Sequence, residues 1–296
     1  MKTKGIMHIF TRTPLHVGAG NSVGVVDSPI QRERHTRFPI IPGSSLKGVL
    51  ADLWNDDANI TIVEKKDKNE KEYFRIEKSD IEELFGSNTK EAKVGNLLIG
   101  EAKILAFPVR SAKGAFAWIT CPLALARYER DSGIKLNVEL FDGMTDSQCY
   151  GSEDVQLKDN VVLEEYNFKS ENLCEDLSFQ LSKLFEDKIW ETVATRLVVV
   201  NDEIFAYFVE NACEVVTRIC VDDESGVVKK GALFNQEQVP SESMFYAPIR
   251  EQKEKDSYSK FKKKLDDNHR VIQVGGNETI GLGFCSVSFS DIENEV

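Results

Sequence analysis

Residues 14–48 read PLHVGAGNSVGVVDSPIQRERHTRFPIIPGSSLKG, and the order of signals in them sets the architecture. The run GIMHIFTRTPL at 5–15 alternates loosely and holds Ile, Phe and Thr, so it predicts a first strand leading into that stretch. Gly18, Gly20 and Gly24 then open a loop that passes Asp27 and the basic run QRERHTR. Phe38 to Ile41 predict a short strand and Pro42 with Gly43 a turn. Ser44 or Ser45 predicts the cap of a helix with Leu46, Val49, Leu50 and Leu53 on one side. Farther out, polar residues 55–78 predict an excursion with a hairpin around EKKDKNEKEY. Ser79 and Glu82 form a capping box before DIEELF, which Gly86 stops. Strands are predicted at 96–106 and in PVRSAKGAFAWIT, and a helix from near Pro122. Acidic residues 133–170 predict one strand, at VVLEEYNF. Residues 171–187 predict a helix with Leu173, Leu177, Leu181, Leu184 and Phe185 on one face. ATRLVVV reads as a strand and DEIFAYFVENA as a helix. Two β-rich runs then flank a turn at 223–226, MFYAPI resumes regular structure, and a charged helix follows. The end, HRVIQVGGNETIGLGFCSVSF, reads as strand, glycine loop, strand. This mixture predicts an α+β fold with a ferredoxin-like core.

The chain has 296 residues, which at roughly 150 per domain means two domains or one with large insertions. Hydrophobic residues make up 41% and charged residues 29%, as in a folded globular protein rather than a disordered one. No apolar run approaches the roughly 18 residues of a membrane span, and the start lacks the apolar core of a secretory signal. Six cysteines are scattered without a C-x-x-C pair, so a disulfide framework or zinc knuckle is not expected and a reducing cytoplasm fits. Net charge is −12, which on its face argues against nucleic acid. The average hides an asymmetry. Residues 1–50 carry seven Lys and Arg against two carboxylates, a net +5, and the other 246 residues sum to −17. A cationic first sixth on an acidic body predicts a local anion-binding face.

Four constellations carry candidate chemistry. The glycines at 18, 20 and 24 lack the G-x-G-x-x-G spacing and no helix opens there, so a dinucleotide site is disfavoured; a P-loop motif is absent. What remains is flexible backbone beside Asp27, which by itself reads as a turn-capping carboxylate, and His16, which reads as a half-buried strand-end histidine. PGSSLKG offers a helix amino terminus and Lys47 to a phosphate, or is a plain capped helix. GGNETIGLG places four glycines in nine residues, so Gly276 and Gly281 admit close backbone approach while Asn277 and Thr279 offer polar groups to sugar or phosphate; a bulged hairpin is the plain alternative. In PVRSAKGAFAWITCP, Arg110 and Lys113 are phosphate candidates, and Phe116 and Trp118 read as core aromatics before stacking platforms.

Three stretches together resemble a known family: PLHVGAGNSVGVVDSPIQRERHTRFPIIPGSSLKG, PVRSAKGAFAWITCPLALAR, and GALFNQEQVPSESMFY with GGNETIGLGF. The chain is similar to the backbone subunits of type III-B CRISPR effector complexes, the Cmr module, in the RAMP superfamily. The resemblance implies one RRM-like palm over 1–296, finger insertions at about 55–95 and 133–190, and a β-hairpin thumb in 222–268. It implies a filament of copies along a guide RNA, with a small helical subunit among the partners. Complementary single-stranded target RNA is cut beside each base pair that a thumb flips out, with a divalent metal, Mg²⁺ or Mn²⁺. The family's catalytic aspartate falls on Asp27, which would also hold the metal. Accessory roles fall on His16 and on Glu237 of E-x-x-P. The guide would be held by the cationic segment with Arg32 and Arg37, by Ser44, Ser45 and Lys47, by Arg110, and by the glycine loop with Gly276, Asn277, Thr279 and Gly281. One departure is Glu101, where the family has an aspartate. The competing readings are a catalytically silent RNA-binding backbone subunit, a metal-dependent phosphohydrolase of small nucleotides and a pure protein-interaction module. The four histidines at 8, 16, 35 and 269 show none of the ligand spacing that the phosphohydrolase needs.

Overall fold

The run Ile6-Met7-His8-Ile9-Phe10 forms an interior strand of a large sheet. Its strand, Lys2–Thr11, pairs antiparallel with Met244–Glu251 on one edge and with Phe284–Asp291 on the other. Ile6 and Phe10 enter one apolar cluster while Met7 and Ile9 enter the other, so the strand is buried on both faces. That is why its sequence is a nearly continuous apolar run and alternates only loosely. His8 lies on the Ile6 face, with Nε2 2.9 Å from the Tyr128 hydroxyl and Nδ1 3.4 Å from Ser288 Oγ. Burial pushes the His8 imidazolium pKa down to about 3, so the ring is neutral and structural.

This computed structural model describes residues 2–20, 26–55, 65–67, 70–72, 79–87, 93–222, 225–253 and 255–292. Of the eighteen described strands, six pair into three separate two-stranded sheets, and twelve form one mixed sheet against which helices pack in an α+β arrangement. Its order runs Asn160–Leu163, Tyr166–Asn172, Gln148–Gly151, Leu197–Val199, Phe116–Thr120, Ala102–Arg110, Met244–Glu251, Lys2–Thr11, Phe284–Asp291, Val271–Gln273. Short strands Ile40–Ile41 and Leu97–Ile99 join it beside Ala102–Arg110 and Met244–Glu251. On one face, Leu46 and Leu50 of helix Gly43–Asn55, Phe205 and Phe208 of Asp202–Asn211, and Phe261 and Leu265 of Ser257–Asp267 close the core. On the other, Leu125 and Tyr128 of helix Pro122–Ser132 pack with Trp118, Trp190 and Leu181. The Trp118 and Trp190 ring centroids are 5.5 Å apart, edge to face.

Several local expectations change. Helix Gly43–Asn55 starts upstream of both serines, with the Pro42 carbonyl accepting from Leu46 N, so Ser44 and Ser45 sit inside the first turn and neither is the cap. Gly43 must open it because a Cβ there would lie 2.8 Å from the Ile99 carbonyl oxygen. The strand expected over 96–106 breaks into Leu97–Ile99 and Ala102–Arg110. The break faces Pro248, whose carbonyl takes the Gly100 N–H and which has no N–H of its own to return. The helix expected over 171–187 is only Glu175–Ser182; Leu184 and Phe185 fill the core from irregular chain beyond it. The acidic stretch holds strand Gln148–Gly151 besides a hairpin of Asn160–Leu163 with Tyr166–Asn172. Gly24, the side chain of Ser79, and Asp223 and Glu224 of the expected turn lie outside the described residues.

Strands Glu214–Val221 and Val228–Gln238 pair into a hairpin separate from the large sheet. Its apolar side chains face solvent: Val215, Ile219 and Leu233 are each more than half exposed. The stretch 222–268 thus divides among one arm of this hairpin, the central strand Met244–Glu251 and helix Ser257–Asp267. Among the described residues, no helix is long and apolar enough to cross a membrane.

Trp118 is fully buried and its Nε1 donates to the Glu242 carbonyl at 2.7 Å. Trp118→Ala is expected to cost about 3–5 kcal/mol of stability, read as a lower midpoint in thermal unfolding followed by circular dichroism.

Candidate active site and nucleic-acid interface

Three adjacent central strands deliver their connections to one end of the sheet. Lys2–Thr11 ends there, while Met244–Glu251 and Phe284–Asp291 begin there, with Phe10 opposite Met244 and Thr11 opposite Cys285. The chain leaving Thr11 bridges the hairpin's end through reciprocal hydrogen bonds between Leu15 and Val239, each 2.8 Å. It then turns back on itself: Ala19 N donates to the Pro29 carbonyl at 2.9 Å and Gln31 N to the Val17 carbonyl at 2.8 Å. His16 is thereby enclosed and only 6% exposed.

The His16 ring is held in one tautomer. Nδ1 lies 2.7 Å from the Glu237 carbonyl oxygen, which can only accept, so Nδ1 carries the proton and Nε2 keeps the lone pair. Ser28 Oγ lies 3.3 Å from that Nε2 and donates to it. Gly18 leaves room above the ring; a Cβ there would sit 3.0 Å from Nε2. The glycine turn closes the other side. Gly276 N donates to the His16 carbonyl at 3.0 Å, and Asn277 Nδ2 donates to Gln236 Oε1 at 3.0 Å. Gly275 has φ +83°, and a Cβ on it would fall 2.3 Å from the His16 carbonyl oxygen.

Asp27 is exposed, and its Oδ2 accepts from the backbone N–H of Asn235 at 2.8 Å. The next residue continues this docking: Ser28 N donates to the Asn235 carbonyl, and Glu237 N donates to the Ser28 carbonyl, each at 3.0 Å. One carboxylate oxygen is thus fixed to the hairpin arm, and the other takes no hydrogen bond among the described residues. Glu237 is turned away from solvent. Its Oε1 pairs with Arg32 at 2.6 Å and its Oε2 accepts from Ile30 N at 3.0 Å.

The structure therefore joins Asp27, His16, Glu237, Arg32, Gly276 and Asn277 in one assembly. Arg32 is committed to Glu237, with 5% of its side chain exposed. Arg37 is exposed but paired with Glu210 at 2.9 Å. Ser44 and Lys47 are exposed on the first helix, Ser45 is half-buried, and Lys47 has no ion pair among the described residues. Arg110 pairs with Glu164 at 3.0 Å beside the hairpin at the far edge of the sheet. Thr279 is exposed and Gly281, at φ +83°, has open space around its Cα. Sequence reasoning missed Ser28, Asn235 and Gln236. Ser28 has one local signal, its adjacency to Asp27; Asn235 acts through its backbone amide, and Gln236 through a side-chain oxygen whose direction depends on the hairpin register. No group of three His, Cys, Asp or Glu residues placed to hold a metal occurs among the described residues. A cleft of about 690 Å³ lies elsewhere, lined by Gly151, Ser152, Asn172 and Asp176.

The site is thus an exposed carboxylate, Asp27, tied to the root of the hairpin and followed by Ser28, which hydrogen-bonds the enclosed imidazole of His16. The RAMP superfamily matches residues 8–286, and the chain belongs to it. The CRISPR system Cmr endoribonuclease Cmr4 of Pyrococcus furiosus is 35% identical, with 98% of this chain and 96% of that protein covered. The crystal structure of oligomeric Cmr4 from the same organism superimposes with TM-score 0.70 at 30% identity, covering 99% of this chain and 100% of that one. A chain in the cryo-EM structure of type III-B Cmr-beta bound to cognate target RNA shares the fold, with TM-score 0.75 at 20% identity over 97% of each chain.

Gly275→Ala is expected to push the glycine turn off His16 at a cost of about 1–3 kcal/mol, seen as a lowered melting temperature.

Proposed function

We propose that this chain is the guide-RNA-binding backbone subunit of a type III-B CRISPR effector complex and cuts complementary target RNA at regular intervals. The observation that carries this reading is Asp27, pinned through one oxygen to the hairpin arm with the other open, beside a histidine of defined tautomer. Whole-length similarity to a Cmr endoribonuclease supports the same reading. The sheet with its helices is then the palm, and the hairpin of Glu214–Val221 with Val228–Gln238 is the thumb. Insertions near 55–95 and 133–190 are the fingers. Copies of the chain stack along the guide, with further subunits of the complex, including a small helical one, on other faces. The free cation Lys47 and the backbone of the glycine turn reach phosphate and sugar, so guide binding ignores base sequence.

RNA supplies its own nucleophile. The 2′-hydroxyl attacks the adjacent phosphorus and the bond to the 5′-oxygen breaks, leaving a 2′,3′-cyclic phosphate and a 5′-hydroxyl. The protein aligns the three atoms and handles charge and protons. His16 Nε2 is the lone pair placed to take the hydroxyl proton, directly or through Ser28. Asp27, tied through one oxygen to a backbone amide, serves the charge instead. Its open oxygen fits a Mg²⁺ or Mn²⁺ ion held by one carboxylate, phosphate oxygens and water, and such an ion would offset charge developing on the phosphate.

The test is reconstitution of the complex with guide RNA and a labelled complementary target. Evenly spaced products that vanish with EDTA are expected. Asp27→Asn is expected to assemble and bind guide normally while cutting disappears; cutting at the wild-type rate in that variant would remove Asp27 from the active site. His16→Ala is expected to slow single-turnover cleavage by about 10²–10⁴-fold, and an unchanged rate would rule out proton transfer at Nε2.

A further inference from the structure

We infer that Arg32 and Glu237 form a buried positioning clamp that fixes the Asp27 segment in register on the hairpin, and that neither contacts RNA or the reacting atoms. The inference rests on the reading of Asp27 as the cleavage-site carboxylate. Segment 27–30 lies along hairpin residues 235–237. Asp27 Oδ2 takes the Asn235 N–H, Ser28 N meets the Asn235 carbonyl, and Glu237 N meets the Ser28 carbonyl. The ladder cannot continue through Pro29, which has no N–H. The Glu237 side chain takes over at that point: its Oε2 accepts the Ile30 N–H at 3.0 Å, and its Oε1 holds Arg32 at 2.6 Å.

Arg32 makes two further contacts inside the protein. Its Nη1 donates to the Arg37 carbonyl at 2.8 Å, and its Nη2 reaches Cys213 Sγ at 3.3 Å, one residue before the hairpin begins. The Cys213 thiol is pushed up to about 12, chiefly by burial, so it stays neutral there. Only 5% of the Arg32 side chain and 10% of that of Glu237 are exposed. A guanidinium enclosed this way cannot swing to a phosphate without stranding a buried carboxylate, and a carboxylate with both oxygens occupied is no free base or metal ligand. The clamp therefore ties both ends of the hairpin and the turn at 33–37 to the segment that carries Asp27.

Glu237→Gln, Arg32→Lys and the double variant, assembled in the complex with guide RNA, test this in single-turnover cleavage at saturating target. Conservative changes are chosen because alanine at either position leaves a buried partner uncompensated. Each single variant is expected to lose about 10–100-fold in cleavage rate with target affinity unchanged, because displacement by even an ångström disrupts in-line geometry. The double variant is expected to be no slower than the worse single one, since both break the same clamp. The pH dependence of the residual rate is expected to parallel that of the wild type. Multiplicative losses in the double variant would overturn the clamp. So would a titration limb lost in Glu237→Gln, which would make it an acid or base, or a shallower salt dependence of RNA binding in Arg32→Lys, which would make it a phosphate contact. Wild-type cleavage by all three variants, or failure of Arg32→Lys alone to change the rate, would also overturn it. Asp27→Asn run in parallel separates the two readings: if it still cuts, the site assignment fails, whatever the clamp variants do.

Discussion

Everything in this molecule is arranged around a strand with no free side. Lys2–Thr11 is hydrogen-bonded along both edges and buried on both faces, so its register is fixed by two partners and two cores at once. A one-residue slip would exchange Ile6 and Phe10 with Met7 and Ile9 and carry His8 away from Tyr128 and Ser288. The precision of the site descends from that constraint. Its components leave from the end of this strand and from the adjoining ends of its two neighbours, so they start from backbone that cannot shift. His16, five residues beyond the strand, is positioned by backbone carbonyls and amides more than by its own packing.

Charge is distributed by a similar logic. The cationic character of residues 1–50 is real in composition, yet part of it is spent internally. Arg32 neutralises Glu237 and Arg37 meets Glu210, partners more than 170 positions away in the chain. What is left for an anionic ligand is a sparse set of exposed groups, Lys47 foremost, on a body that is otherwise acidic. Such a surface attracts a polyanion locally while keeping the rest of the molecule averse to it, as the proposed contact with a guide RNA along one track requires.

Much of this was legible in the sequence, and the failures have physical causes. The α+β class, the two β-rich runs over 213–234 and the strand–glycine loop–strand ending follow from periodicity and turn residues, which act locally; the strand continues through Asn235–Gln238, where the sequence NQEQVPSES reads as a break. Asp27 and His16 read locally as a turn-capping carboxylate and a half-buried histidine, and it is the family resemblance that singles them out. Glu237 was visible as a residue but not in its role, because whether a carboxylate faces solvent or a buried guanidinium depends on a fold-level encounter with residue 32. Ser44 and Ser45 show the same limit at short range: both have capping chemistry, but the tight fit of Gly43 against the Ile99 carbonyl moves the helix start upstream of them. The helix expected over 171–187 fails because leucines at helical spacing also suit irregular chain packed beneath Trp190.

The hairpin has an uneven mechanical character. At its root, residues 235–239 are stitched to three other segments; toward the turn, Ile219 and Leu233, opposite each other in the ribbon, stand more than half exposed. A two-stranded ribbon has little stability of its own. It is a cantilever, stiff where it is embedded and compliant along its free length. Force applied at the far end of a cantilever is felt as torque at the embedded end, and the residue bolted to that end is Asp27. Whatever grips the outer part of the ribbon thus has mechanical leverage over the carboxylate at its foot.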